Sequence, residues 1–135
     1  MVKMSIVYEG QLHCNLTHIP SGNVISTDAP KDNNGKGDAF SPTDLIAAGL
    51  GSCMLTVMGI QAARHQISLD GSTVDVEKEM IVDPIRRIGS IKVVLHMATG
   101  IPVEKRGMLE AAAHACPVHK SLHPDVKIPI EFIWK

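Results

Sequence analysis

The sequence predicts an α+β fold with a mainly antiparallel sheet, and three observations carry that reading. Short strand-like runs punctuated by turn residues fill the first twenty-seven positions. A long uncharged stretch follows at Leu45–Ala63, too long for a strand. Beyond it come a two-stranded return, a helix and a closing strand.

The opening runs are "VKMSIVYEG", "QLHCNLTHI" and "VISTD", with Gly10 and Ser21-Gly22-Asn23 at hairpin spacing. A polar loop, "APKDNNGKGDAF", reads as a solvated connector, because its glycine spacing does not match a phosphate-binding loop. Ser41-Pro42-Thr43-Asp44 then has the order of a helix start: Ser41 caps, Pro42 takes the first helical position, and Asp44 answers as a capping box. The helix should run to about His65. Ala48, Ser52 and Thr56 recur every four residues and form a ridge of small side chains that lets another helix backbone approach closely.

"STVDVEKEMIVD" alternates Val74 and Val76 against Asp75 and Glu77, as a half-exposed strand does. Asp83-Pro84 and Gly89 mark the return into "SIKVVLHMAT". After Pro102, "VEKRGMLEAAAHAC" has apolar residues near helical spacing, weakened at Gly107. The last run, "VKIPIEFIWK", is a strand that Pro129 restricts to an edge or a bulge.

At 135 residues the chain has the size of one domain, expected to span 1–135. A net charge of -1 gives no basic surplus for nucleic acid or anionic lipid, and 3% aromatics leave few platforms on which bases could stack. The start, "MVKMSIVYEG", lacks the apolar core and small-residue cleavage site of a secretory signal, so three cysteines indicate a reducing, cytoplasmic setting. The uncharged stretch meets the length of a membrane span, but Gly49, Gly51, Ser52, Thr56, Gly59 and Gln61 dilute it and no positive cluster flanks it. A core helix covered on every side fits better.

The chemistry-bearing residues are Cys53, inside the apolar helix, and Cys116, within "HACPVHKSLHP". Buried cysteine usually serves as a small hydrophobe, so Cys53 needs a neighbour from elsewhere in the fold to become reactive. Cys116 precedes Pro117, which suits the first position of a short helix "PVHKSL". That would put the thiol at the N-cap, with His119 and Lys120 one turn away to stabilise negative charge on sulfur. The competing reading is a helix corner packed with a small residue. Cys116-x-x-His119 also invites zinc, with His114, His123 and Cys53 as partners, but the second short-spaced pair of a structural site is missing and no metal is expected. Cys14 sits mid-strand, as a packed or edge thiol without a role. His13, His18, His65 and His96 read as half-exposed strand or helix-end residues.

"SPTDLIAAGLGSC" and "CPVHKSL" together resemble the OsmC/Ohr family of stress-linked thiol peroxidases, and the order of elements extends the resemblance over almost the whole chain. The resemblance implies an intertwined homodimer, with two long central helices back to back between sheets and the active site at the subunit interface. It implies reduction of organic hydroperoxides, and of hydrogen peroxide to a lesser extent, by Cys53 as the peroxidatic thiol and Cys116 as the resolving one. No bound cofactor is implied, and a lipoyl protein or another dithiol would re-reduce the disulfide. Met54 and Met58 would line an apolar peroxide pocket. The chain departs from the family pattern twice. Thr43 stands where family peroxidases carry a glutamate, with Asp44 adjacent as a substitute carboxylate. The family's N-terminal arginine is also missing, the first arginine being Arg64. His119 and Lys120 are then candidates to tune the thiols or to stand in for that arginine. Local helix electrostatics favour Cys116 as the more acidic thiol, whereas the family ordering favours Cys53. A non-catalytic ligand-binding or redox-sensing module on the same fold is the alternative.

Overall fold

A computed structural model describes Met1–Lys135, which form two compact units, Met1–Ile46 and Ala47–Lys135. The elements are β1 (Met4–Gly10), β2 (His13–His18), β3 (Val24–Asp28), α1 (Pro42–Ala63), β4 (Thr73–Ile81), β5 (Arg87–His96), α2 (Val103–His114), α3 (Pro117–Ser121) and β6 (Ile130–Ile133).

In the first unit β1, β2 and β3 make an antiparallel meander. The β1–β2 turn places Gly10, Gln11 and Leu12 all at positive φ, and Tyr8 Oη accepts from the Leu12 N–H at 3.3 Å. Positive φ at two residues with side chains is the geometry of a tight hairpin usually built from Asn and Gly. Cross-strand pairing puts Met4, Ile6 and Tyr8 on one face with Cys14, Leu16 and Ile25. The meander buries no large hydrophobic side chain: Thr27 and Asp28 are its buried residues, and Ile6 is 57% exposed. Cys14 is half-buried in the central strand, opposite Tyr8 and Thr27.

The helix start forms as its sequence requires. Ser41 Oγ accepts from the Asp44 N–H at 3.0 Å while the Asp44 carboxylate accepts from the Ser41 N–H at 2.9 Å, so two otherwise orphaned donors are satisfied reciprocally. Pro42 supplies the first helical position, where a missing N–H costs nothing.

The second unit holds the hydrophobic core. β4 and β5 pair antiparallel, and β6 joins β5 in parallel at the edge of the sheet. That parallel edge was not anticipated, and it is possible because α2 and α3 intervene as a crossover between β5 and β6. Alternation along β5 turns Ile91, Val93 and Leu95 inward, where they meet Leu50, Met54 and Met58 of α1, Leu109 and Ala113 of α2, and Cys116. At Gly51 α1 approaches the sheet closely: a Cβ there would lie 2.8 Å from Val76 Cγ2 and 3.3 Å from Val74 Cγ1.

The expectation of a helix covered on every side is not met within one chain. α1 is long and apolar enough to cross a membrane by length and composition, yet only 33% of its most apolar window is buried. Ala47, Leu50, Gly51, Met54, Met58 and Ala62 face the core, while Ser52, Thr56 and Ile60 stay exposed, Ile60 at 52%.

Candidate functional site

Residues from α1 and α3 bring two thiols together in the second unit. Cys53 lies midway along α1, half-buried and packed against the core, while Cys116 has no exposed surface. Cys53 is close enough to Cys116 to act on its ionisation, and both are free thiols. Nothing in the local sequence around either cysteine encodes that meeting. It follows from packing α1 and the α2–α3 corner over the same sheet face.

Cys116 is the N-cap of α3, as the Cys-Pro order suggested: its backbone is extended, Pro117 opens the helix, and Sγ accepts from the His119 N–H at 3.3 Å. The expected effect on acidity does not follow. Burial pushes the Cys116 thiol above its ordinary value. The backbone N–H groups of His119 and Val118 pull the other way, and the neighbouring Cys53 thiol adds to the rise. The reading that local helix electrostatics make Cys116 an acidic thiol is therefore corrected. A five-residue helix contributes one or two N–H contacts, whereas loss of hydration acts on the whole sulfur.

His119 and Lys120 contribute through the main chain. The His119 N–H caps Cys116, whereas neither the imidazole nor the exposed Lys120 ammonium makes a hydrogen bond to sulfur. Of the remaining histidines near this corner, His114 meets the Phe132 ring edge-on at 5.8 Å and His123 pairs with Asp125 at 3.7 Å. No three His, Cys, Asp or Glu side chains converge as a metal-binding set. Met54 and Met58 are fully buried core residues.

Asp44 and Thr43 belong to the first unit, in the opening turn of α1. Asp44 closes the capping box, and Thr43 Oγ1 lies 3.2 Å from Ser41 Oγ. The same unit contains a polar cleft of about 360 Å³ lined by Glu9, His13, Asp28, Lys36 and Asp38. There His13 Nδ1 is 2.5 Å from the buried Asp28 carboxylate, and Nε2 is 3.5 Å from Glu9. From sequence, His13 reads only as a half-exposed strand residue. The pairing could have been suspected only from the hairpin register that sets it opposite Asp28.

The chain belongs to the OsmC-like protein family, whose model matches residues 35–131. Across 98% of its length, it is 40% identical to a protein from Psychrobacter arcticus 273-4 named for osmotic-stress induction and a detoxification response. The match covers 96% of that chain, with a TM-score of 0.92. The fold is shared with an organic hydroperoxide resistance protein OsmC from Legionella pneumophila, at 20% identity and a TM-score of 0.79 over 98% of this chain and 96% of that one. It is shared also with the organic hydroperoxide resistance protein OhrB of Bacillus subtilis, at 21% identity and a TM-score of 0.69 over 98% and 97%. No curated protein matches the chain.

Proposed function

We propose that the protein is a cytoplasmic, homodimeric thiol peroxidase that reduces organic hydroperoxides, and hydrogen peroxide less well, with residues 1–135 acting as one OsmC-like domain. The observation that carries this reading is the neighbouring pair of free thiols Cys53 and Cys116, one half-buried and the other fully buried. A peroxide must reach the sulfur it oxidises, so Cys53 is the attacking thiol and Cys116 the resolving one. Burial of Cys116, which raises its thiol pKa, supports the ordering in which Cys53 attacks.

The chemistry takes two steps. The Cys53 thiolate attacks the terminal oxygen of ROOH, the O–O bond breaks, and with one proton the products are Cys53 sulfenic acid and ROH. The Cys116 thiol then condenses with the sulfenic acid, forming the disulfide and releasing water. A dithiol, free or carried as a lipoyl group, returns the pair to its reduced state by two exchanges.

The homodimer is supported by surfaces that a single chain leaves uncovered. The ridge of Ser52 and Thr56, with Ile60 beside it, runs along the outer side of α1, and the β1–β3 meander exposes Met4, Ile6, Tyr8 and Ile25. A second copy laid against α1 would give the two long central helices of the intertwined arrangement and cover the apolar face without a membrane. The name of the 40%-identical relative, with its detoxification response, agrees with a stress role.

The test is turnover of cumene hydroperoxide with a dithiol reductant. Wild-type protein should consume the peroxide catalytically, and Cys53→Ser should not. A Cys53→Ser protein as active as wild type would refute the assignment. If instead the wild type binds apolar ligands without consuming peroxide, the fold serves as a binding or sensing module.

A further inference from the structure

The proposed cycle leaves open which of two sulfurs the reductant attacks, and the geometry distinguishes them. Thiol–disulfide exchange requires the incoming thiolate to approach along the line of the S–S bond, so the rate depends on access to the attacked sulfur and on the acidity of the leaving one. Those two factors oppose each other here. Burial raises the Cys116 thiol above its ordinary value and so, on that ground, makes it a poor leaving group. Access works the other way: Cys116 has no exposed surface, is enclosed by core residues, and its sulfur already accepts the His119 N–H. Cys53 retains exposed surface on α1. Leaving-group acidity changes a rate by degrees, whereas a sulfur that cannot be approached along the bond axis does not react. The His119 N–H, 3.3 Å from Cys116 sulfur, also donates a hydrogen bond that stabilises negative charge as that sulfur departs.

We infer that the reductant of the Cys53–Cys116 disulfide attacks Cys53 and expels Cys116, so the mixed disulfide with the reductant forms on Cys53. The inference rests on the proposed thiol pair. In the first exchange a reductant thiolate bonds to Cys53 sulfur, the Cys53–Cys116 bond breaks, and its electron pair leaves on Cys116, which takes up a proton. In the second exchange the reductant's other thiolate attacks its own sulfur in the mixed disulfide and releases the Cys53 thiolate. The reductant leaves as its disulfide. The thiol that meets the peroxide therefore also meets the reductant, and Cys116 never leaves the core.

The experiment uses Cys14→Ser protein oxidised with diamide, which makes the disulfide without peroxide. Brief exposure to limiting 2-mercaptoethanol, acid quench, alkylation and non-reducing peptide mapping should find the mercaptoethanol adduct on the Cys53 peptide. An adduct mainly on Cys116 overturns the inference. A second measurement does not rely on trapping: reduced Cys14→Ser/Cys116→Ser protein should react with 5,5′-dithiobis(2-nitrobenzoate) roughly tenfold or more faster than Cys14→Ser/Cys53→Ser. Equal or reversed rates overturn it as well. If diamide forms no Cys53–Cys116 disulfide, the thiol pair fails and this inference with it. A disulfide that forms and is reduced at Cys53, in a protein that consumes no peroxide, defeats the peroxidase reading alone.

Discussion

Cys116 shows how little of a thiol's chemistry is local. Its place at a helix start is legible in the Cys-Pro order and holds in the structure, with Sγ accepting the His119 N–H. Its acidity is set by the core around it, which no spacing within "HACPVHKSLHP" encodes. The same holds for the partnership with Cys53, which arises only when α1 and the α2–α3 corner share a sheet face. A raised thiol pKa has a consequence for stability. The unfolded thiol ionises above roughly pH 8.5 while the folded one stays protonated, so the folded state holds more protons there and stability falls with rising pH. Cys116→Ser removes that contribution. Urea unfolding of reduced protein should show the stability difference between wild type and variant shifting in the variant's favour from pH 8 to pH 10. A difference independent of pH would mean that burial does not raise this thiol. In peroxidase assays the same variant should yield sulfenic acid on Cys53, detectable by dimedone, without an intramolecular disulfide.

Among the elements, those with local signals are the ones the sequence announces. The capping box at Ser41–Asp44, the hairpin through Asp83-Pro84, and α3 after Cys116 all follow from residues a few positions apart. Pro129 correctly marks an edge, since β6 is the outer strand of its sheet. Its parallel pairing with β5, and the separation of the strands into two three-stranded sheets, depend on long-range packing that alternation cannot report. Two glycine substitutions on helices test the packing of the second unit. Gly51→Ala forces a Cβ to 2.8 Å from Val76 and should destabilise by roughly 1–3 kcal/mol, as overpacking does. Gly107→Ala in α2 meets nothing within 4 Å and should stabilise by about 0.5–1 kcal/mol. Urea midpoints of the two variants should move in opposite directions; a neutral Gly51→Ala would show that α1 can lift from the sheet at little cost.

For the whole molecule, the uncovered side of α1 decides what the chain must do to be complete. An apolar helix with a small-residue ridge facing outward, and a meander with no large hydrophobic side chain buried, both call for cover. The proposed second copy makes a definite prediction: sedimentation of the wild type should give a dimer, and Thr56→Arg or Ile60→Glu should give monomers. A variant that stays dimeric would move the interface off α1. The proposed peroxide-driven redox pair of Cys53 and Cys116 is tested by peptide mapping under non-reducing conditions after one equivalent of cumene hydroperoxide. A Cys53–Cys116 disulfide and loss of the peroxide are expected in the same sample. Peroxide left intact, with both cysteines recovered as free thiols, would contradict it.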